Sequence, residues 1–573
     1  MAFILDEVRR LTGPNLLSDE PGAIADVLFS EANPQIVLHC WQKHLLECQN
    51  ALDWAYGKNT YQRFYKGGLS VSIPAPMDLL YSACDLLELA WDLCVQELSP
   101  SNIESIDIDE RLEALKQSIK EERHPALIQL IEQAKLHNVV CLADDDELSL
   151  GTGPSAETWP IDDITSASSV NWSAYKSVPL ALITGTNGKS TSVRLAAEIA
   201  KAGGMCAGVT STDFIKVGDT IIDEGDYSGP GGARMLLRDK RTEIAFLEVA
   251  RGGLLRRGLP VNHADAALIT NVASDHLGQY GINTVDDIAQ VKTMVSKAIG
   301  PLAADYAEQQ NEPRVLVLNA DDPRLAAMGK SFDMPLCWFS PNPHNPLIVE
   351  AIKQQRPCAY VKDGELVYSH ITSTNIARIN EVPMTIKGTA THNIQNALGV
   401  IGLCKALGID DAAIKAGLHN FASSAKDNPG RGNIYELNGI TFIVDFAHNG
   451  HSMQAVMNMA SKMPAKHIHV MFSHAGDRSD QDIQDVTNAV LKLAPSTYVL
   501  AEIEQYLRGR KFGDISNLVR QHLLDNKISS DDILLAANPV DGTEQLLSKA
   551  KAGDLVLLFV LSDREEVQAL LQT

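Results

Sequence analysis

The run Val178–Ala202, VPLALITGTNGKSTSVRLAAEIAKA, constrains this chain more than any other stretch. Leu180 to Ile183 is a short apolar run, β-branched near its end and soon closed by glycine, which predicts a buried strand. Gly185, Thr186, Asn187, Gly188, Lys189, Ser190 and Thr191 follow, and then a helical pattern through Leu195, Ile199 and Ala202. Strand, glycine loop and helix N-terminus together make an anion site. The loop N–H groups converge, the helix dipole adds partial positive charge, and Lys189 supplies a full one. Ser190 would carry its hydroxyl to a magnesium ion. The common spacing G-x-x-x-x-G-K-[ST] would need a glycine at Ile183; what stands here is the shorter G-T-N-G-K-S-T. At a strand-to-helix junction it predicts a nucleoside triphosphate site.

A chain of 573 residues is long enough for about three or four domains with full cores. A formal charge of −23 argues against a nucleic-acid or anionic-membrane partner. The start, MAFILDEVRRL, lacks a basic region followed by a long apolar core, so no signal peptide is expected. The apolar run Leu555 to Leu561 is too short to span a bilayer, and the expectation is a cytoplasmic protein. Nine scattered cysteines without a C-x-x-C pair read as free thiols, not as zinc ligands or disulfides.

In chain order, residues 1–105 read as a mostly helical domain, with apolar positions at helical spacing in Ile36 to Leu52 and Met77 to Leu98. Trp41, Trp54 and Trp91 are expected to fill its core. Residues 106–176 read as a small α/β remnant and a linker. They hold a charged helix, a short strand around Val139 to Leu142, the acidic run Asp144 to Glu147 read as a solvated turn, and a Gly/Ser/Thr/Pro-rich stretch. Residues 177–425 form the nucleotide domain. Its apolar runs Ile244 to Val249, Ala266 to Thr270 and Val315 to Leu318 alternate with helical stretches, which predicts an α/β fold with a mainly parallel sheet and ligands at the strand carboxyl ends. Polar residues stand after those strands: Glu248, then Asp275 with His276, then Asn319 with Asp321 and Asp322. Residues 426–573 read as a second, Rossmann-like α/β domain with strands at Thr441 to Val444, His467 to Phe472, Thr497 to Leu500 and Asp554 to Leu561. His467 and His469 are read as structural, and Asp427 to Arg431 as a turn.

The stretches ITGTNGKST, LEVARGGLLRRGL, TNVASDHLG, NADDP, THNIQNAL, NPGRGNIYELNGITFIVDFAHN, HAGDRSDQDI and YLRGRKFGD resemble the Mur ligase family, and within it the Mur-ligase-like half of the cyanophycin synthetases. LEVARGGLLRRGL and RGRKFGD are the specific matches; the others are shared with Mur ligases and folylpolyglutamate synthetases at large. RRLTGPNLLS is similar to the opening of cyanophycin synthetases, and HPALIQLIEQAKLHNVVCLADDDELSLGTG to a segment beside their ATP-grasp domain. That domain has no room between Gly151 and Ser177, so the resemblance implies a relative with one of two active sites removed.

The resemblance implies an ATP-dependent amide ligase that activates a carboxylate as an acyl phosphate and joins it to an amino acid. Lys189 would contact phosphate, and Ser190 and Glu248 would hold a magnesium ion. His276 would join a second metal site. Lys292, sixteen residues after His276, matches a lysine carbamylated in many Mur ligases; a plain surface lysine is the alternative. Asn319 and Asn393 would hold adenine, while Arg431 and Asp445 would reach phosphate and ribose from the last domain. His448 and Asn449 either face substrate or only shape a turn. Asp477 and Arg478 either bind the incoming amino acid or pair on the surface. The family's DYAHNP stands here as DFAHNG. The implied partners are a carboxylate acceptor, peptide or polymer, and an amino acid, with room for a separate ATP-grasp ligase and for a homo-oligomer. Competing readings are a folylpolyglutamate-type or peptidoglycan-type ligase, and a non-catalytic nucleotide-binding partner of a full synthetase.

Overall fold

A computed structural model describes residues 3–57, 59–100, 106–299 and 314–572. The amino-terminal domain corrects the expectation of a mostly helical unit. Strands Phe3–Leu11, Gly22–Phe29, Gly68–Pro74 and Tyr61–Tyr65 lie side by side in that order as an antiparallel sheet. Helices Pro34–Ala51 and Leu80–Leu98 pack against the sheet. Their long 3.6-residue periodicity hides the strands in a sequence reading, because the strands are shorter than the helices and one carries its charges in adjacent pairs, Asp6 with Glu7 and Arg9 with Arg10, which breaks the two-residue alternation of a strand. The tryptophans stand as expected: Trp41 and Trp91 are buried and meet edge to face at 5.0 Å, and Trp54 is buried beside them.

The segment read as a linker is folded. Cys141–Ala143, Glu147–Leu150 and Glu157–Pro160 make a three-stranded antiparallel sheet, and Trp159, Ile164, Trp172 and Tyr175 pack onto a small core under helix Pro125–Leu136. The acidic run is a largely exposed turn, and its carboxylates are paired. Asp144 pairs with Arg234 and Arg238, Glu147 with Arg238, and Asp145 with Arg10 at 2.6 Å, so three carboxylates pin this unit to its neighbours.

The central domain carries an eleven-stranded sheet. Its middle is parallel in the order Ala207–Thr210, Ile244–Glu248, Leu180–Thr184, Ala266–Ile269, Val315–Asn319, Leu336–Ser340, Cys358–Lys362. Antiparallel hairpins extend both edges. Successive residues feed opposite cores: Leu182, Leu247 and Ile269 one, Ile183, Phe246 and Leu268 the other. Burial on both faces is why these strands read as continuous apolar runs without alternation.

The last domain is a six-stranded sheet ordered Arg431–Leu437, Ile440–Asp445, Leu555–Phe559, Ile468–Phe472, Thr497–Ala501, Ile533–Ala536. Only the first pair is antiparallel. Asn428 at the junction is buried: its amide accepts from Arg194 at 3.0 Å and donates to the Thr191 hydroxyl at 3.1 Å. The turn before the last domain is thereby tied to the helix that follows the glycine loop. Among the described residues no helix is long and apolar enough to cross a membrane.

Candidate active site

The glycine loop is fixed by the next strand's end. Thr186 N–H donates to the Asn271 carbonyl (2.9 Å), Asn187 N–H to Asn271 Oδ1 (3.0 Å), and the Thr270 hydroxyl to the Asn187 carbonyl (2.6 Å). Close approach dictates the glycines. A Cβ on Gly185 would stand 1.8 Å from Thr270 Oγ1, and one on Gly188, at φ 87°, would stand 2.3 Å from Asn396 Oδ1. Helix Lys189–Ala202 starts directly behind Gly188, so its free N–H groups face the space in front of the loop.

That space is a cleft of about 800 Å³ between the central and last domains. Every sequence-predicted residue lines it except Asn319 and Asn449. Asn319 is committed elsewhere: its amide donates to the Thr270 carbonyl at 2.9 Å and accepts from Asp321 N–H. Asn449 caps helix Gly450–Ala460, and its amide pairs reciprocally with that of Asn187 across the domain boundary (3.0 and 3.3 Å). Asn393 does line the cleft, although its amide nitrogen donates to the Met384 carbonyl at 2.8 Å.

Three buried groups give the cleft its chemical character. Glu248, at a strand's carboxyl end and 2% exposed, has two carboxylate oxygens without a hydrogen-bond partner. An unpaired buried carboxylate is costly, so it calls for a cation. Together with the Ser190 hydroxyl in the same wall it offers hard oxygen donors, the set that magnesium or manganese takes. Lys292, 3% exposed on helix Val285–Thr293, is no surface lysine; burial and the neighbouring Lys189 push its ammonium well below the usual range. His276 is brought down to about 4, first by burial, which the opposing pull of Asp275 does not offset; Arg478 and Arg251 act in the same direction as burial. Its ring is therefore neutral at physiological pH, as a metal ligand must be. Its Nε2 accepts from the Arg478 guanidinium at 3.0 Å, so ligation through that nitrogen requires Arg478 to give way.

The last domain closes the cleft with charge. Arg478 donates to Asp275 at 2.8 Å, and Asp477 pairs with Arg508 at 2.7 Å, so these two neighbours do not pair with each other. Burial would raise Asp275, yet His448, His276, Arg478 and Lys189 together hold it at about 2. Burial raises Asp445 to about 6 against the pull of Arg431. The Arg431 guanidinium lies 4.6 Å from the Phe446 ring, which stands where the family has tyrosine and serves as an apolar shelf. His448 donates through Nδ1 to the Phe446 carbonyl at 2.9 Å and faces the cleft.

Sequence reasoning assigned no role to several lining residues. Arg251, from the stretch RGGLLRRG, donates to the His276 carbonyl and to Gln279, each at 2.6 Å. Arg508, Tyr280, His392 and His451 also face the cleft. Arg251 and Arg508 lie in the two most specific motif stretches, and that was the signal available for them.

Residues 183–404 match the Mur ligase middle domain and residues 430–559 the Mur ligase glutamate ligase domain, together more than half of the chain. Cyanophycin synthetase of Crocosphaera subtropica is 35% identical over 390 residues, 67% of this chain and 42% of that protein. The enzyme of the same name from Geminocystis herdmanii is 32% identical over 385 residues, again 67% and 42%. The chain thus spans less than half the length of these relatives. A UDP-N-acetylmuramoyl-L-alanyl-D-glutamate–2,6-diaminopimelate ligase of Geobacter metallireducens is 25% identical over 57% of this chain and 61% of its own. Among solved structures, a bifunctional folylpolyglutamate synthase/dihydrofolate synthase with Mn, AMPPNP and L-glutamate bound superposes with a TM-score of 0.50 at 17% identity, over 69% of this chain and 90% of that one. The parallel-sheet domain with its glycine loop and the smaller α/β domain that closes on it are the two Mur ligase domains in their family order, and this chain belongs to the Mur ligase family.

Proposed function

We propose that the cleft is the active site of an ATP-dependent amide ligase. The observation that carries this reading is the convergence on one cleft of a glycine loop with Lys189, the unpartnered carboxylate of Glu248 and the buried amine of Lys292. A carboxylate oxygen of the acceptor attacks the γ-phosphorus of ATP and releases ADP, giving an acyl phosphate. The amino group then attacks the acyl carbon, phosphate leaves, and the amine's proton is lost to solvent or a base. Acceptor, phosphate and nucleotide are all anionic, so positive charge must draw them together. Lys189 and Arg431 supply it from opposite walls.

Magnesium, held by Ser190 and Glu248, would supply charge neutralisation at the phosphates, and His276 would join a second metal site. Lys292 fits a carbamate: a buried lysine is largely neutral, and only the neutral amine adds carbon dioxide. The product is an anion that suits a metal, where an ammonium does not. Asp445 and Asn393 line the cleft and would take the nucleoside. Arg478 is the proposed receptor for the incoming amino acid's carboxylate, which must compete with Asp275 for it, and Asp477 borders the same region. Likeness to the cyanophycin synthetases supports an aspartate-containing acceptor and a basic amino acid, whose guanidinium or ammonium the acidic groups of this wall would receive. Phosphate release that depends on ATP, an acceptor carboxylate and an amine together tests this function, and loss of that release in Lys189→Ala ties it to the cleft.

A further inference from the structure

The segment from Asp275 to Gly281 holds four residues in the left-handed region: His276 at φ 50°, Gly278 at 91°, Tyr280 at 55° and Gly281 at 64°. Two of them carry side chains, and such a conformation lasts only where the surroundings over-determine it. The surroundings here come from three domains. Arg251 of the central domain takes the His276 carbonyl, and Arg478 of the last domain takes Asp275 and the His276 ring.

The third hold comes from the amino-terminal sheet. Arg63 donates to the carbonyls of Tyr280 at 2.8 Å and Gly281 at 3.0 Å. Two residues on, and so on the same face of the strand, Tyr65 packs over Gly281 so closely that a Cβ there would stand 2.4 Å from its ring. From the opposite edge strand of the same sheet, the buried Arg9 lies 4.6 Å over the Tyr280 ring while its guanidinium is fixed by Asp26 at 2.6 Å. Tyr280 itself lines the nucleotide cleft. The arginine fork presents N–H groups in one fixed plane to two successive carbonyls, where a lysine offers a single point of charge.

We propose that the amino-terminal domain is a clamp that sets the loop carrying His276, and that Arg63 is its positioning residue. The rate consequence rests on the ligase reading above; the loop's dependence on Arg63 does not. Releasing the two carbonyls frees the strained segment to relax toward ordinary backbone angles, which moves His276 relative to Glu248 and Lys189 without touching the glycine loop.

The test compares the full chain with Arg63→Ala, Arg63→Lys and Arg10→Ala. The last variant cuts an interdomain ion pair with Asp145 that does not touch the loop. Hydrogen–deuterium exchange is read over 275–283 and over the glycine loop, alongside ATP turnover. Arg63→Ala should speed exchange of 275–283 about tenfold or more, leave the glycine loop protected, and lower kcat about tenfold with the KM for ATP little changed. Arg63→Lys should recover part of both. Unchanged exchange in a folded Arg63→Ala protein, or equal loosening of the loop in Arg10→Ala, overturns the clamp. A loosened loop in a chain that turns over ATP with no substrate supports the clamp and refutes the ligase reading instead.

Discussion

The Arg478 guanidinium of the last domain donates to the Asp275 carboxylate of the central domain at 2.8 Å, directly across the nucleotide cleft. Its other nitrogen reaches His276, so one side chain ties closure of the last domain to the loop beside the proposed metal site. Arg510 keeps this arginine's own backbone in place, donating to the Arg478 carbonyl at 2.8 Å and the Gly476 carbonyl at 3.0 Å. Removing Asp275 as Asp275→Asn should lower turnover about 10- to 100-fold, because a hydrogen bond to a charged group contributes about 1.5–3 kcal/mol. Steady-state kinetics checks this, and limited proteolysis of the junction around Asn428 should show faster cleavage if the domains part.

Lys189→Ala should abolish ATP turnover while leaving the fold intact. The lysine borders the cleft and among the described residues its side chain donates to the Thr186 carbonyl at 3.1 Å, so the loop keeps its shape without it. Losing one preorganised contact to developing charge typically costs about 10²–10³ in rate. Phosphate release with a matching circular dichroism spectrum reads both halves of the expectation.

Lys292 should carry a carbamate in the active protein. Lys292→Ala should lose most activity and regain part of it with added short carboxylates, which can occupy the vacated ligand position. Intact-mass measurement under gentle conditions and a carboxylate titration check the two parts; full activity in the variant would contradict the assignment.

How much of this was legible in the sequence follows from what each residue is asked to do. The glycine loop, Glu248 and His276 could be read because they follow short strands buried on both faces, and such strands announce themselves as apolar runs. Asn319 occupies the same kind of position after its strand, yet its amide is spent on the Thr270 carbonyl, a partner that sequence spacing cannot reveal. The amino-terminal strands were hidden for a different reason. Phe3–Leu11 lies at a sheet edge, and its adjacent charged pairs Asp6–Glu7 and Arg9–Arg10 interrupt the apolar/polar alternation that marks a strand. Arg63 and Arg251 could not be assigned because they act on backbone carbonyls hundreds or tens of residues away, and a carbonyl leaves no mark in a sequence.

Acid should weaken the fold through two buried histidines. Burial lowers His474 to about 3 and His392 to about 4, and each keeps one ring nitrogen without a partner. Both are depressed below the unfolded value of about 6.5. Their contribution is therefore fully present above pH 6.5 and lost as pH falls below it, since the unfolded chain takes up the protons first. Each group adds a slope of up to about 1.4 kcal/mol per pH unit in that window. Urea midpoints between pH 7.5 and 5 should fall for the parent chain and fall less steeply for His474→Gln; identical slopes would refute the assignment.

The central claim is most directly tested by following phosphate and amide together. The twenty amino acids are offered in turn with aspartate-containing peptide acceptors, ATP and magnesium, phosphate release is recorded, and the acceptor is weighed by mass spectrometry. The account predicts one phosphate for each amide formed, with a basic amino acid favoured and no product from Lys189→Ala. Nucleotide binding without any acceptor- and amine-dependent phosphate or mass gain would contradict it.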